Sequence, residues 1–103
     1  MIDLAPDQWA IVRRLLAAHV PECEVRAFGS RVTENAKPYS DLDIVLRGPA
    51  RLPIGRLAAL REAFTESELS IRIDMIDWHA ISENFRNIIA AKCEILQDPL
   101  SHG

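Results

Sequence analysis

The sequence predicts one α/β or α+β domain built on a small sheet. Three observations predict it. Apolar residues recur at helical spacing in some stretches and at strand spacing in others, and the two kinds alternate along the chain. The composition, 49% hydrophobic and 26% charged, is that of a packed domain rather than a disordered one. A length of 103 residues allows one core with little to spare.

Met1 to Ala5 reads as a short lead-in. Pro6 suits a first helical position, and Trp9, Val12 and Leu16 repeat at helical spacing with Ile11 and Leu15 widening the stripe. This helix should stop near His19, because Pro21 disfavours helical geometry at Val20, and His19 then interacts with the helix C-terminus. Cys23 to Phe28 is the first strand, with Cys23, Val25 and Ala27 on one side. It runs into Gly29-Ser30 and a brief helix ending near Glu34 or Asn35, followed by a polar loop containing Pro38. Asp41 to Arg47 is the second strand. A helix from Ile54 to Glu66 should bury Leu57, Leu60 and Phe64, its first turn weakened by Gly55. Leu69 to Trp78 is the third strand, with Leu69, Ile71, Ile73 and Met75 opposite Arg72, Asp74 and Ile76. A last helix from Ile81 to Cys93 should turn Ile81, Phe85, Ile88 and Ile89 inward, leaving Gln97 to Gly103 as a frayed tail. No repeat, low-complexity tract or domain boundary interrupts this order, so residues 1–103 read as one domain.

The chemistry concentrates in Gly29 to Asp43. Asp41 and Asp43 alternate with Leu42, Ile44 and Leu46, so the two carboxylates share a strand face. Their α-carbons should lie roughly 6.5–7 Å apart. Side chains leaning inward from that spacing can share cations roughly 3.5–4 Å apart, as two-metal phosphoryl chemistry requires. Gly29 permits a tight turn, and a helix beginning at Ser30 would aim unpaired N–H groups at a phosphate. Parity selects the third acid. Asp74 lies opposite the aliphatic row of its strand, whereas Asp77 shares the parity of Met75 and should point toward the helices or sit past the strand end.

Each feature also has a plainer reading. A lone Asp-x-Asp is usually a solvated strand face, and Gly-Ser after a strand is usually a turn with a helix cap. A calcium loop is excluded, because Ile44, Val45 and Leu46 stand where oxygen ligands and a glycine are needed. The combination carries the weight: three acids from two strands on one face, beside an anion-binding turn. Uncompensated, they would repel one another, and a divalent metal removes that conflict. Arg31 contacts phosphate or a partner, or is solvated. Arg72 pairs with Asp74 or with substrate. Lys37 and Arg86 read as solvated charge, Tyr39 and Trp78 as strand-end packing, and His79 and His102 have no partner pattern.

Gly29-Ser30, the ten-residue spacer that ends in Ser40, then Asp41-Leu42-Asp43-Ile44 and Ile73-Asp74-Met75-Ile76 together resemble the signature of the DNA polymerase β-type nucleotidyltransferases. Within that superfamily the chain is most similar to the minimal nucleotidyltransferases (MNT) that act as antitoxins beside HEPN-domain toxins. Glu34 stands where many relatives carry glycine, so the spacer departs from the pattern. The resemblance implies a polymerase β-like palm: a mixed sheet with helices on one face and the other open for substrate. It further implies transfer of AMP from ATP to an acceptor hydroxyl, a tyrosine of a HEPN RNase toxin, in a type VII-like antitoxin. Gly29, Ser30 and Arg31 would hold the nucleotide's phosphates, and Asp41, Asp43 and Asp74 two Mg²⁺ ions. Two rivals remain: a protein-binding antitoxin or adaptor with little or no catalysis, and a small-molecule nucleotidyltransferase that completes its pocket as a homodimer.

The remaining totals bound the setting. A net charge of −3 argues against a general nucleic-acid surface. With no charged-then-apolar leader and no apolar run near the length of a membrane span, neither export nor membrane insertion is expected. Cys23 and Cys93 lack metal-ligand spacing and read as reduced thiols of a cytoplasmic protein. No chain is expected after the last helix to form an acceptor-binding domain, so the acceptor should dock from outside, as another protein.

Overall fold

The structure, a computed structural model, describes residues 4–29 and 41–99. Helix α1 (Pro6–His19) begins with proline in its first turn and buries Val12 and Leu16. It ends as expected before Pro21, with the Val20 N–H still bonded to the Leu16 carbonyl at 2.8 Å. Strand β1 (Glu24–Phe28) follows, then β2 (Leu42–Arg47), α2 (Ile54–Glu66) and β3 (Ile73–Asp77). A single 3₁₀ turn at Trp78–Ala80 leads to α3 (Glu83–Ala91) and β4 (Glu94–Gln97).

The sheet is mixed, in the order β3-β2-β1-β4. β1 runs antiparallel to both β2 and β4, while β2 and β3 are parallel and joined by the α2 crossover. Alternation along the strands decides what each face carries. Val25, Ala27, Leu42, Ile44, Leu46, Ile73, Met75 and Leu96 turn to one face, where they form the core with Val12 and Leu16 of α1 and Leu60 and Phe64 of α2. The expected α/β palm layering is therefore present, with α1 and α2 on the core face.

The structure corrects the C-terminal third of the sequence reading. Residues 94–97 form a fourth strand against β1 instead of leading directly into a frayed tail. The amide of Gln97 donates to the carbonyls of Val20 at 2.9 Å and Cys23 at 3.1 Å, tying β4 to the turn after α1. Helix α3 is shorter than the expected 81–93, and only Ile89 of its apolar stripe is buried. Phe85 is 37% and Ile88 63% exposed. Helical spacing shows which residues share a stripe, and a nine-residue helix seated at a sheet margin covers only part of that stripe. Its Phe85 meets Phe28 edge-on at 6.0 Å. Because Phe28 alternates with Val25 and Ala27, α3 borders the second sheet face beside β1. Strand β3 also starts later than expected, although Leu69 and Ile71 still pack against the core.

Candidate active site

Two strand pairings assemble the site. In the parallel β2–β3 ladder Asp43 lies directly opposite Asp74, with the Leu42 N–H donating to the Arg72 carbonyl at 2.9 Å one step earlier. In the antiparallel β1–β2 ladder Phe28 lies opposite Asp43, which carries the next residue, Gly29, to the flank of that carboxylate. Gly29 has φ of 80°, the left-handed region that favours glycine. A Cβ built there would stand 2.4 Å from Asp43 Oδ2. The glycine is thus required twice, by its backbone and by the carboxylate pressed against it.

Electrostatics join the three acids. The Asp43 carboxyl is held above the ordinary carboxylate range, first by burial, then by the negative charges of Asp74 and Asp41. Asp41 and Asp43 are half-buried and Asp74 is exposed, so the group opens to solvent at the β3 edge. Among the described residues no three carboxylate, imidazole or thiol groups close on one point as a finished metal cage. The arrangement is an Asp43–Asp74 pair with Asp41 at its flank. An all-oxygen donor set whose members repel one another nevertheless has the chemistry that suits a hard divalent cation.

Asp77 is accounted for separately. It is 5% exposed on the core side, where Oδ2 accepts the Leu52 N–H at 2.7 Å and Oδ1 the His79 N–H at 2.9 Å. It therefore pins the loop before α2 and caps the 3₁₀ turn, leaving Asp74 as the acid of β3 on the site face. His79 Nε2 lies 2.8 Å from the Gly48 carbonyl, a structural contact. Trp78 packs at its strand end as expected, with the guanidinium carbons of Arg47 and Arg86 5.0 and 5.2 Å from its ring centre. Arg86 is a correction to solvated charge, since its Nε also donates to the Trp78 carbonyl at 2.9 Å. Ser30, Arg31, Glu34, Lys37 and Tyr39 fall outside the described residues. Arg61 of α2 was missed by the sequence reading. It lines a pocket with Arg72 and Asp74, and no local pattern connects a helix residue to a strand thirteen positions on.

Residues 4–98 match the family described as poly(A) RNA polymerase, mitochondrial-like, central palm domain. A relative from Haemophilus influenzae, named a probable protein adenylyltransferase MntA, is 41% identical over 97 residues, covering 94% of this chain and 85% of the relative. The chain belongs to this palm family, on its minimal, MntA-type nucleotidyltransferase branch. Solved structures agree in fold. A toxin–antitoxin complex with AMP-PNP superposes with a TM-score of 0.73 at 20% identity, covering 85% of this chain and 71% of that one. A tri-AMPylated HEPN toxin with its MNT antitoxin from Shewanella oneidensis superposes at 0.65 and 20% identity, over 86% and 68% of the two chains.

Proposed function

We propose that this nucleotidyltransferase moves AMP from ATP to a tyrosine hydroxyl of a HEPN RNase toxin and silences that toxin as its antitoxin. The observation that carries the reading is the pairing of Asp43 with Asp74 across parallel strands, with Gly29 pressed against Asp43. The MntA-type relative and the AMPylated toxin complex support the choice of nucleotide and acceptor.

The residues divide the work. Gly29, Ser30 and Arg31 receive the β- and γ-phosphates. Asp41, Asp43 and Asp74 would hold two Mg²⁺ ions, their carboxylates supplying oxygen ligands. Magnesium bound there would offset the charge on the phosphate oxygens and lower the pKa of the acceptor hydroxyl. Asp74, the most exposed of the three, stands at the β3 edge, where it can accept the hydroxyl proton as pyrophosphate departs. Positioning contributes the remainder, since two bound reactants need only align. The reaction would run in the cytoplasm with the acceptor arriving as a separate protein.

Labelled ATP, Mg²⁺ and a HEPN acceptor, incubated with wild type, Asp41→Asn and Asp74→Asn, test the assignment. Loss of an electrostatic stabiliser from such a site typically costs a hundredfold or more in rate. Label transfer undiminished in both variants would refute it.

A further inference from the structure

The β3 margin of the molecule carries a pocket of about 210 Å³ that meets the acid cluster at Asp74. Arg61 from α2 and Arg72 from the approach to β3 supply its charge, Phe64, Ile71 and Ile73 its apolar floor, and Asp74 the wall toward the site. Both arginines are exposed, and neither has a carboxylate partner among the described residues. The other long-range arginine of α2, Arg56, is by contrast fully engaged with Glu22. Two guanidinium groups with no ion-pair partner among the described residues, against the single carboxylate of Asp74 on the pocket wall, suit an anion. Among the described residues β3 is an edge strand with no strand paired on its outer side, where an extended segment could add.

We propose that this pocket receives an acidic side chain of the acceptor protein, next to the hydroxyl presented to Asp74. The inference rests on the nucleotidyl-transfer reading and adds the feature that selects the acceptor. A polypeptide fits better than a nucleic acid, because Asp74 on the pocket wall and a net charge of −3 repel a continuous phosphate backbone. A single carboxylate brings only one charge, which a bidentate arginine can match, and the apolar floor takes the rest of the side chain.

The test uses the full chain and fluorescent tyrosine peptides flanked by Asp and Glu, by Ala or by Lys, with a single-stranded RNA oligonucleotide as a fourth probe. Binding is read by anisotropy with and without Mg²⁺–ATP, and AMP transfer is read in parallel. The acidic peptide should bind and be modified about tenfold better than the alanine peptide. Arg61→Lys should keep most of that preference, Arg61→Ala should abolish it, and Arg61→Glu should shift it toward the lysine peptide. Equal use of all peptides, a preference that survives Arg61→Ala, or Arg61-dependent binding of the RNA in place of the acidic peptide overturns the proposal. Arg61-dependent peptide binding without transfer upholds the pocket and removes the transfer reading. Transfer without preference does the reverse, and absence of both removes both.

Discussion

At the scale of single residues, local alternation and steric fit explain most of the site. The face shared by Asp41 and Asp43, and the choice of Asp74 over Asp77, were legible because strand parity needs only neighbouring residues. The burial of Asp77 against the Leu52 N–H agrees with that parity. What parity could not supply was the distance between strands, which depends on register, and so the intimacy of Gly29 with Asp43 emerged only from the fold. That intimacy makes a prediction. Gly29→Ala must either strain a backbone at φ of 80° or displace the carboxylate 2.4 Å from the new methyl group. A destabilisation of about 1–3 kcal/mol by denaturant titration is expected, with AMP transfer reduced at least tenfold. A variant with wild-type transfer would show that the Asp43 position is not critical. Cys23 supports a second prediction. Burial, reinforced by Glu22, pushes its thiol from an ordinary 9.0 up to about 11. The folded state therefore retains a proton that the unfolded chain releases. Its contribution is complete below about pH 9 and disappears as pH rises to 11, a loss on the order of 2–3 kcal/mol. Thiol titration of the native protein at pH 8 should find half-buried Cys93 reactive and Cys23 protected until denaturant is added. Rapid reaction of both would contradict the burial of Cys23.

At the scale of elements, helices α1 and α2 and strands β1, β2 and β3 were readable because each has its own period and its own punctuation, such as Pro6 and Pro21 around α1. Strand β4 was not. Four residues with one buried side chain, Leu96, carry too little pattern, and β1, the partner that defines the strand, lies some seventy positions earlier. Helix α3 was recognised, but the width of its buried face depends on the sheet beneath. Two polar contacts hold this region together and differ in expected weight. Asp77→Ala leaves the buried Leu52 N–H without an acceptor, at a cost of about 1–3 kcal/mol. Ser82→Ala removes the exposed cap on the Phe85 N–H at the start of α3, at a cost of about 1 kcal/mol or less. Thermal melts of the two variants should therefore rank Asp77→Ala clearly below Ser82→Ala. The opposite order would mean that the loop before α2 finds another acceptor.

At the scale of the whole molecule, the fold half-buries the Asp43 carboxyl beside the negative charges of Asp74 and Asp41, a cost that the free protein bears and that a bound cation would relieve. Replacing Asp43 by Asn removes one half-buried charge from that cluster, so the metal-free variant should melt at or above the wild-type temperature, as expected where function and stability oppose each other. The loaded protein should behave in the opposite way. Anything that binds only the folded state stabilises it by mass action, about 2.7 kcal/mol at a ligand concentration of a hundred times Kd. For a domain of this length each kcal/mol moves Tm by roughly 4–8 °C. Wild type should thus gain on the order of 10 °C with Mg²⁺–ATP, less with ATP alone, while Asp43→Asn should gain little from either. The crossing of the two proteins' melting temperatures on addition of Mg²⁺–ATP is the signature of a site whose charges are arranged for a cation. If Asp43→Asn instead melts lower than wild type without metal and gains as much from the nucleotide, the acids stabilise the sheet through contacts of their own and the nucleotide binds elsewhere.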